Sequence, residues 1–338
     1  MTQTFLKNPY RGTTDFEVGA DIPFPSIRAD LALGLLQRCP DYAQTPLVTH
    51  ILPSGATIFV KDERQRMGLG SFKALGAAYV IAHAAQKHDL SDTTFVTASA
   101  GNHGLSVAAG AKIFGAQAVV YLSNTVPEGF AERLRQWGAG VVRAGDDYEA
   151  SMQAAQTAAA ENGWTLLSDS SWAGYTELPH RLMEGYQVLA AETVDQMPEP
   201  PTHIFLQAGV GGLATAAASY FRHVWGDDPI ITVVEPDRAP ALHHAIAAGK
   251  FVSTTGGVSS MGRLDCKEAS LIALKGLARD ADNFVLMTDA QVEEHLPTLA
   301  KWGLSTSPSG GAGCAAAVAG VVNLSPDDRV LCILSEGE

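Results

Sequence analysis

Ser71-Phe72-Lys73-Ala74-Leu75-Gly76 places a single lysine at the beginning of a predicted helix. The strand-like run 57–60 precedes it, and the mostly uncharged stretch 74–84 follows it. A cation at a helix N-terminus opposes the helix dipole, at a cost of a few tenths to about 1 kcal/mol. Lys73 is therefore a candidate nucleophile, because a lysine amine can form a Schiff base with an aldehyde cofactor.

Composition narrows the class of protein. The 338 residues carry a net charge of -13, and 46% of them are hydrophobic, which predicts about two domains with sizeable cores. The acidic balance argues against binding to nucleic acid or to an anionic membrane surface. Residues 1–11 lack the apolar core of a signal peptide, and the sequence has no apolar run of the roughly 18 residues that a membrane span needs.

The cysteines are few and widely spaced. No CxxC pair occurs, so neither a zinc ribbon nor a disulfide framework is indicated, and no metal site is expected. Reduced thiols in a cytoplasmic protein are the simpler interpretation. The four residues are Cys39, Cys266, Cys314 and Cys332.

Strands and helices alternate from about residue 57 onward. This pattern predicts an α/β fold with parallel sheets covered by helices on both faces. Ligands bind such sheets outside the carboxyl ends of the strands. The first 55 or so residues are predicted to be irregular and to wrap the domains. Predicted strands cover 94–97, 117–122, 140–144, 164–167, 203–207, 230–235, 283–287 and 329–334, and helices cover 105–114, 127–137, 146–162, 179–194, 212–223, 239–248 and 289–302.

Three glycine-rich segments open predicted helices, and the first two of them follow predicted strands. The first, Ser99 to Gly104, can turn backbone N–H groups toward an anion, and the Asn102 amide can donate to a phenolate oxygen. An ordinary strand–helix turn explains this segment equally well. The third, Ser307 to Gly313, is by itself typical of a structural turn, and the chain ends with Ser335 just after a strand.

The second segment, Gly209-Val210-Gly211-Gly212-Leu213, is the best phosphate-binding candidate. Three glycines within four positions let the backbone close around a phosphate. The third glycine follows at once, rather than three positions on, so this is not a dinucleotide fingerprint, and a Walker lysine is missing too. A nucleotide-binding enzyme is therefore a poorer interpretation.

These motifs, in this order, resemble the tryptophan-synthase-β-like family of pyridoxal 5'-phosphate (PLP) enzymes, or fold type II. The resemblance implies two domains, each with a mainly parallel twisted sheet covered by helices: a large PLP-binding domain of residues 1–93 plus 169–338, and a small, mobile domain of residues 94–168. It also implies a homodimer. The cofactor-binding residues that it implies are Lys73 as the Schiff-base lysine, Phe72, Asn102 at the phenolate, Gly209, Val210, Gly211, Gly212 and Leu213 at the phosphate, and Ser335 at the pyridine nitrogen.

Within this family the chain most resembles the diaminopropionate ammonia-lyases, through the stretches 68–76, 169–176 and 261–268. The resemblance implies α,β-elimination on a small L-amino acid, giving a 2-oxo acid and ammonia; 2,3-diaminopropionate would yield pyruvate and two ammonias. Lys73 is then the base at Cα, and Asp169 a contact for the distal ammonium, although a turn aspartate is as plausible. The residues predicted to meet the substrate carboxylate are Ser99, Ala100, Gly101 and His103.

Departures from the lyase pattern leave two alternatives open. Ala100 stands where the lyases carry an aspartate that acts as base for the D-isomer, which makes this loop similar to that of threonine dehydratases and predicts strict L-stereochemistry. The acidic residue usual before the Ser-Gly of the third loop is replaced by Pro308, and the sequence stops soon after Ser335. The alternatives are a threonine, serine or hydroxyaspartate dehydratase, and a non-catalytic PLP or small-ligand binding protein.

Three further residues are interpreted as structural. Lys61 and Arg64 are expected to be solvated turn charges or partners of Asp62 and Glu63. Glu235 follows a predicted strand, and we expect it to have a structural role.

Overall fold

Eleven strands form two sheets in the computed structural model, which describes residues 4–338. The larger sheet has the order β1-β10-β9-β8-β11-β3-β2 and is parallel except at its two edges; the smaller has the order β6-β5-β4-β7 and is parallel throughout. The strands are β1 (Phe5–Lys7), β2 (Leu47–Ile51), β3 (Thr57–Asp62), β4 (Thr94–Ala98), β5 (Gln117–Leu122), β6 (Gly140–Arg143), β7 (Thr165–Leu166), β8 (His203–Gln207), β9 (Ile230–Pro236), β10 (Asn283–Met287) and β11 (Arg329–Leu334).

Eleven α-helices connect and cover these strands in the described part of the chain. They are α1 (Ala29–Leu36), α2 (Lys73–Ala85), α3 (Asn102–Ile113), α4 (Glu128–Gln136), α5 (Tyr148–Asn162), α6 (Glu177–Gln196), α7 (Gly212–Trp225), α8 (Ala241–Ala248), α9 (Leu271–Asp280), α10 (Asp289–Lys301) and α11 (Pro308–Ala319). Within residues 4–338, no helix has the length and apolar character needed to cross a membrane.

The predicted α/β class with parallel sheets is confirmed, whereas the first 55 residues, although irregular over most of their length, are not irregular throughout. These residues contain α1 and the two antiparallel edge strands β1 and β2. Edge strands are short and half exposed, so they lack the continuous apolar run that marks a central parallel strand. Helix α9 was also missed, although most of its residues are buried.

All four strands of the smaller sheet lie within residues 94–166. The larger sheet takes strands from both sides of this insertion. A small domain of residues 94–168 that moves relative to the remainder stays a prediction.

Close packing of two helices fixes the position of Lys73. A Cβ at Gly76 of α2 would lie 2.5 Å from Tyr186 Cε1, and one at Gly185 of α6 would lie 2.6 Å from the Leu75 carbonyl oxygen. These two glycines therefore let α2 and α6 approach more closely than side chains would allow. Lys73, one turn before Gly76, consequently sits on a rigid element.

Lys61 is not a solvated turn charge, so that expectation is wrong. Its side chain is fully buried; the Nζ lies 2.6 Å from Glu192 Oε2 and also donates to the Thr45 carbonyl oxygen and to Gln196 Oε1, each at 2.8 Å. Buried Arg66 pairs with the same Glu192. The lysine is buried because β3 runs through the sheet interior, where its charge is matched from α6.

Candidate active site

Lys73 and Asp169, 96 residues apart in sequence, form an ion pair at the beginning of α2. Asp169 lies three residues beyond β7, where the chain returns from the smaller sheet to α6. About a fifth of each side chain is exposed: 21% for Lys73 and 19% for Asp169. The two predicted catalytic residues are therefore in contact with each other and remain accessible.

Each partner holds the other in its charged form. Burial alone would lower the pKa of Lys73, but the Asp169 carboxylate outweighs it and raises that pKa above its usual value. Burial raises the pKa of Asp169, whereas the Lys73 ammonium and then His103 lower it, with a net shift downward. The resting pair is an ammonium with a carboxylate, and a proton can pass between them along one hydrogen bond.

Two aromatic rings flank the Lys73 ammonium. Its Nζ lies 5.2 Å from the ring centroid of Phe72 and 5.8 Å from that of Tyr186, and the two rings pack edge to face at 4.8 Å. Phe72, a predicted cofactor residue, is the N-cap of α2. Tyr186 was missed by the sequence reasoning, because nothing in its helical surroundings distinguishes it from a core tyrosine.

The loop from Gly209 to Leu213 joins β8 to α7 and has the form of an anion cradle. Gly211 has φ +95°, a left-handed conformation that suits glycine, and no side chain caps the helix that begins at Gly212. A Cβ at Gly209 would lie 3.0 Å from both Cys266 Sγ and Leu264 Cα. The first N–H groups of α7 are thus left for an anionic group.

A buried carboxylate, Glu336, follows the predicted hydroxyl residue Ser335 and contacts the predicted amide residue Asn102. It accepts hydrogen bonds from the amide of Asn102, from Arg263 Nη1 at 2.6 Å and from Ser307 Oγ. The neighbouring Ser335 is buried and its carbonyl accepts from the Phe72 N–H at 3.1 Å. Glu336 and Arg263 were missed, although Arg263 lies in the stretch 261–268 that carries the lyase resemblance.

The predicted substrate residues lie at the beginning of α3. Ser99 Oγ accepts from the Gly101 N–H at 3.2 Å, and Ala100 is exposed between them. His103 is buried, and its Nε2 lies 2.8 Å from the Leu167 carbonyl oxygen. The first three thus remain open to a ligand, whereas the His103 ring is directed into the fold of the smaller sheet.

These residues fit PLP. The glycine cradle would take its phosphate, the Lys73 amine its aldehyde carbon, the Asn102 amide its phenolate oxygen and Ser335 its pyridine nitrogen. A cavity of about 370 Å³ adjoins the segment 170–173, but neither Lys73 nor the glycine cradle lines it, so it does not bear on the cofactor. Burial and then the Asp169 charge raise the pKa of Cys266 behind the cradle to about 12, so this thiol stays protonated near neutral pH.

Comparisons with known proteins agree with this chemistry. The family model of pyridoxal-phosphate dependent enzymes matches residues 39–336. Diaminopropionate ammonia-lyase of Escherichia coli K12 is 32% identical, over 79% of this chain and 73% of that protein. L-serine dehydratase/L-threonine deaminase of Mus musculus is 32% identical over 63% of each chain.

A solved structure shows the same fold. The crystal structure of diaminopropionate ammonia lyase from Escherichia coli in complex with D-serine superposes with a TM-score of 0.87 at 28% identity, covering 99% of this chain and 93% of that chain. The family match spans most of the sequence, including the glycine cradle and the lysine at the beginning of α2. This chain therefore belongs to the family of pyridoxal-phosphate dependent enzymes.

Proposed function

We propose that this enzyme catalyses α,β-elimination on a small L-amino acid, and that its substrate is 2,3-diaminopropionate, which it converts to pyruvate and two ammonias. The observation that carries the proposal is the contact between Lys73 and Asp169. It combines a base for Cα with a carboxylate that can meet a distal ammonium. The similarity to diaminopropionate ammonia-lyases over 79% of the chain supports the same substrate.

PLP, when bound, supplies an aldehyde that accepts amines and an electron sink conjugated to Cα. Lys73 would take the Cα proton on its Nζ as a neutral amine, the form in which a substrate amine would release it from the aldehyde, and not as the ammonium of the cofactor-free pair. Because Nζ is hydrogen-bonded to Asp169, that proton can pass to the carboxylate and on to the ammonia that leaves Cβ. General acid–base help of this kind is worth roughly 10²–10⁴-fold in rate.

An assay of products from a panel of amino acids tests the substrate. Diaminopropionate should give two ammonias for each pyruvate, whereas serine gives one for each pyruvate and threonine one for each 2-oxobutanoate. Turnover of serine, threonine or hydroxyaspartate without turnover of diaminopropionate would establish a dehydratase instead. Ala100 and the identity to the mouse dehydratase favour that second candidate. Bound PLP without turnover of any amino acid would indicate a binding protein.

Stereochemistry follows from Ala100. Its exposed methyl group offers no proton acceptor beside the Asn102 loop, so elimination should be confined to the L-isomer. The variant Ala100→Asp should turn over some D-diaminopropionate. The control variant Ala100→Asn, whose side chain has the size of aspartate but cannot act as a base, should not. Equal rates on the two isomers by the unmodified enzyme would contradict the assignment.

We also infer a homodimer located in the cytoplasm. All four cysteines are free thiols, which is usual in a reducing compartment. The mass in solution by light scattering tests the dimer, and subcellular fractionation tests the location.

A further inference from the structure

The hydroxyl of Tyr186 is a buried polar group whose partner the polypeptide does not supply. The side chain is 1% exposed, and its oxygen makes no hydrogen bond with any group of residues 4–338. Leaving a buried hydroxyl unpaired is costly, because the group gives up its hydrogen bonds with water and gains none in return. Such groups are uncommon, and one next to a binding site indicates a ligand atom as the partner.

Tyr186 lies between the two elements that frame the cofactor site. Its Cε1 edge packs on Gly76 of α2, and its Cε2 edge faces Gly212, where a Cβ would lie 3.6 Å away. Gly212 is the first residue of α7, whose N-terminus no side chain caps. The hydroxyl, which lies on the ring between these two edges, is therefore held near the cradle.

Lys73 is the other group that could serve the hydroxyl. Its positive charge is near enough to offset part of the rise that burial causes in the pKa of Tyr186. The ammonium, however, is paired with Asp169, and although it lies close enough to the phenol to lower its pKa, the phenol oxygen has no partner with hydrogen-bond geometry among the described residues. Lys73 therefore interacts with the phenol through its charge but does not serve as the hydrogen-bond partner of the hydroxyl.

We propose that the Tyr186 O–H donates a hydrogen bond to a phosphate oxygen of PLP. It supplements the backbone N–H groups of the cradle, and the rigid α2–α6 packing fixes it in place before the cofactor binds. This rests on the proposed placement of the phosphate at Gly209–Leu213 and is independent of which amino acid is the substrate.

The test compares two cofactor forms on the cofactor-free enzyme. Tyr186→Phe removes only the hydroxyl, so PLP should bind about ten- to a hundredfold more weakly, the range for a hydrogen bond to a charged group. Pyridoxal, which has the aldehyde and ring but lacks the phosphate, should bind the variant and the unmodified enzyme within about twofold. Dissociation constants are measured by fluorescence titration.

Two further measurements bear on the same point. The ³¹P chemical shift of bound PLP should change in Tyr186→Phe, and the cofactor-free variant should be at least as stable as the unmodified protein, because it no longer buries an unpaired hydroxyl. Tyr79→Phe, at a buried tyrosine on α2 about two turns beyond Lys73, is the control and should change neither the affinity for PLP nor the ³¹P shift.

Three outcomes would overturn the proposal. Equal weakening of PLP and pyridoxal would assign the hydroxyl to Lys73 or to the ring, and unchanged PLP binding would remove any role toward the phosphate. Failure of Tyr186→Phe to fold without cofactor would show that the hydroxyl serves the polypeptide itself. None of these depends on turnover, so loss of the proposed lyase activity alone would leave the inference standing.

Discussion

Two lysines that pair with carboxylates show how differently one sequence can use the same side chain. Lys61 on β3 and Lys73 on α2 each face a carboxylate, Glu192 and Asp169 respectively. Lys61 is fully buried, and its ammonium has three partners, which is its full donor capacity. Lys73 has one anionic partner, two aromatic neighbours and about a fifth of its side chain exposed.

The two amines differ in how many of their N–H donors are already used. An ammonium whose three N–H groups are all hydrogen-bonded in a rigid setting stabilises one conformation and has no N–H group free for a substrate. An ammonium with a single partner can exchange that partner and pass on a proton. Burial of charge therefore identifies neither residue as functional; the completeness of its hydrogen bonding separates the two.

The largest effect that this comparison predicts comes from Lys73→Ala. Without an amine the enzyme has no base at Cα and no covalent anchor, so kcat should fall by roughly 10⁴-fold or more. Steady-state kinetics and the visible absorption of bound cofactor measure the two losses. PLP should remain at most noncovalently bound. If kcat instead stayed within tenfold of the unmodified enzyme, a residue other than Lys73 would be the base at Cα.

Lys61→Met should show the reverse pattern. Removing one partner from a buried ion network typically costs about 3–5 kcal/mol of stability, because Glu192 keeps its charge with one cation fewer. Urea unfolding measures the loss, and kcat per folded molecule should stay within about twofold. Adding Glu192→Gln should recover part of the stability, since the unmatched carboxylate is then gone.

Asp169→Asn tests the carboxylate of the Lys73–Asp169 pair. The amide cannot accept and return a proton, so kcat on diaminopropionate should fall about a hundredfold while bound PLP is retained. Ser170→Ala, at the next residue, is the control. An unchanged kcat would reduce Asp169 to a turn residue, the alternative that its sequence context left open.

Local patterns allowed much of the fold to be predicted, because α/β alternation and glycine-rich turns are local signals. They also drew attention to Lys73, Asn102 and the cradle, since each lies next to a strand end or a helix beginning, whereas Ser335 came from the family resemblance; the roles of these residues toward PLP stay predictions. Tyr186 and Glu336 could not be predicted in the same way. Their roles depend on partners brought close by tertiary packing, such as Asn102 234 residues before Glu336.

The burial of Lys61 escaped prediction for the same reason. Its matching carboxylate is on α6, 131 positions later in the sequence. Nothing near β3 indicates that pairing, so the local pattern favoured a turn charge. Lys73 was easier to interpret because a cation at a helix N-terminus conflicts with a local rule.

The smallest effect, counted per pH unit, concerns another buried carboxylate, Glu235, for which no cation of the described residues forms an ion pair. Its two oxygens accept from the Leu242 and His243 N–H groups at 2.8 and 2.7 Å, at the beginning of α8. Burial nevertheless raises the pKa of Glu235 from the usual 4.5 to about 8. At Glu192, by contrast, the nearby cations Arg66 and Lys61 lower the pKa although burial raises it. Glu235 differs because no such cation pairs with it within residues 4–338.

Because the folded state holds this proton where the unfolded state has released it, stability should fall as pH rises from about 4.5 to about 8, by at most about 1.4 kcal/mol per pH unit. Glu235→Gln does not titrate, so its unfolding free energy in urea should fall less steeply over that window. Curves that stay parallel from pH 5 to pH 8 would mean that the two backbone donors hold Glu235 ionised, and that hydrogen bonding alone, without a cation, can offset the burial of a carboxylate in this fold.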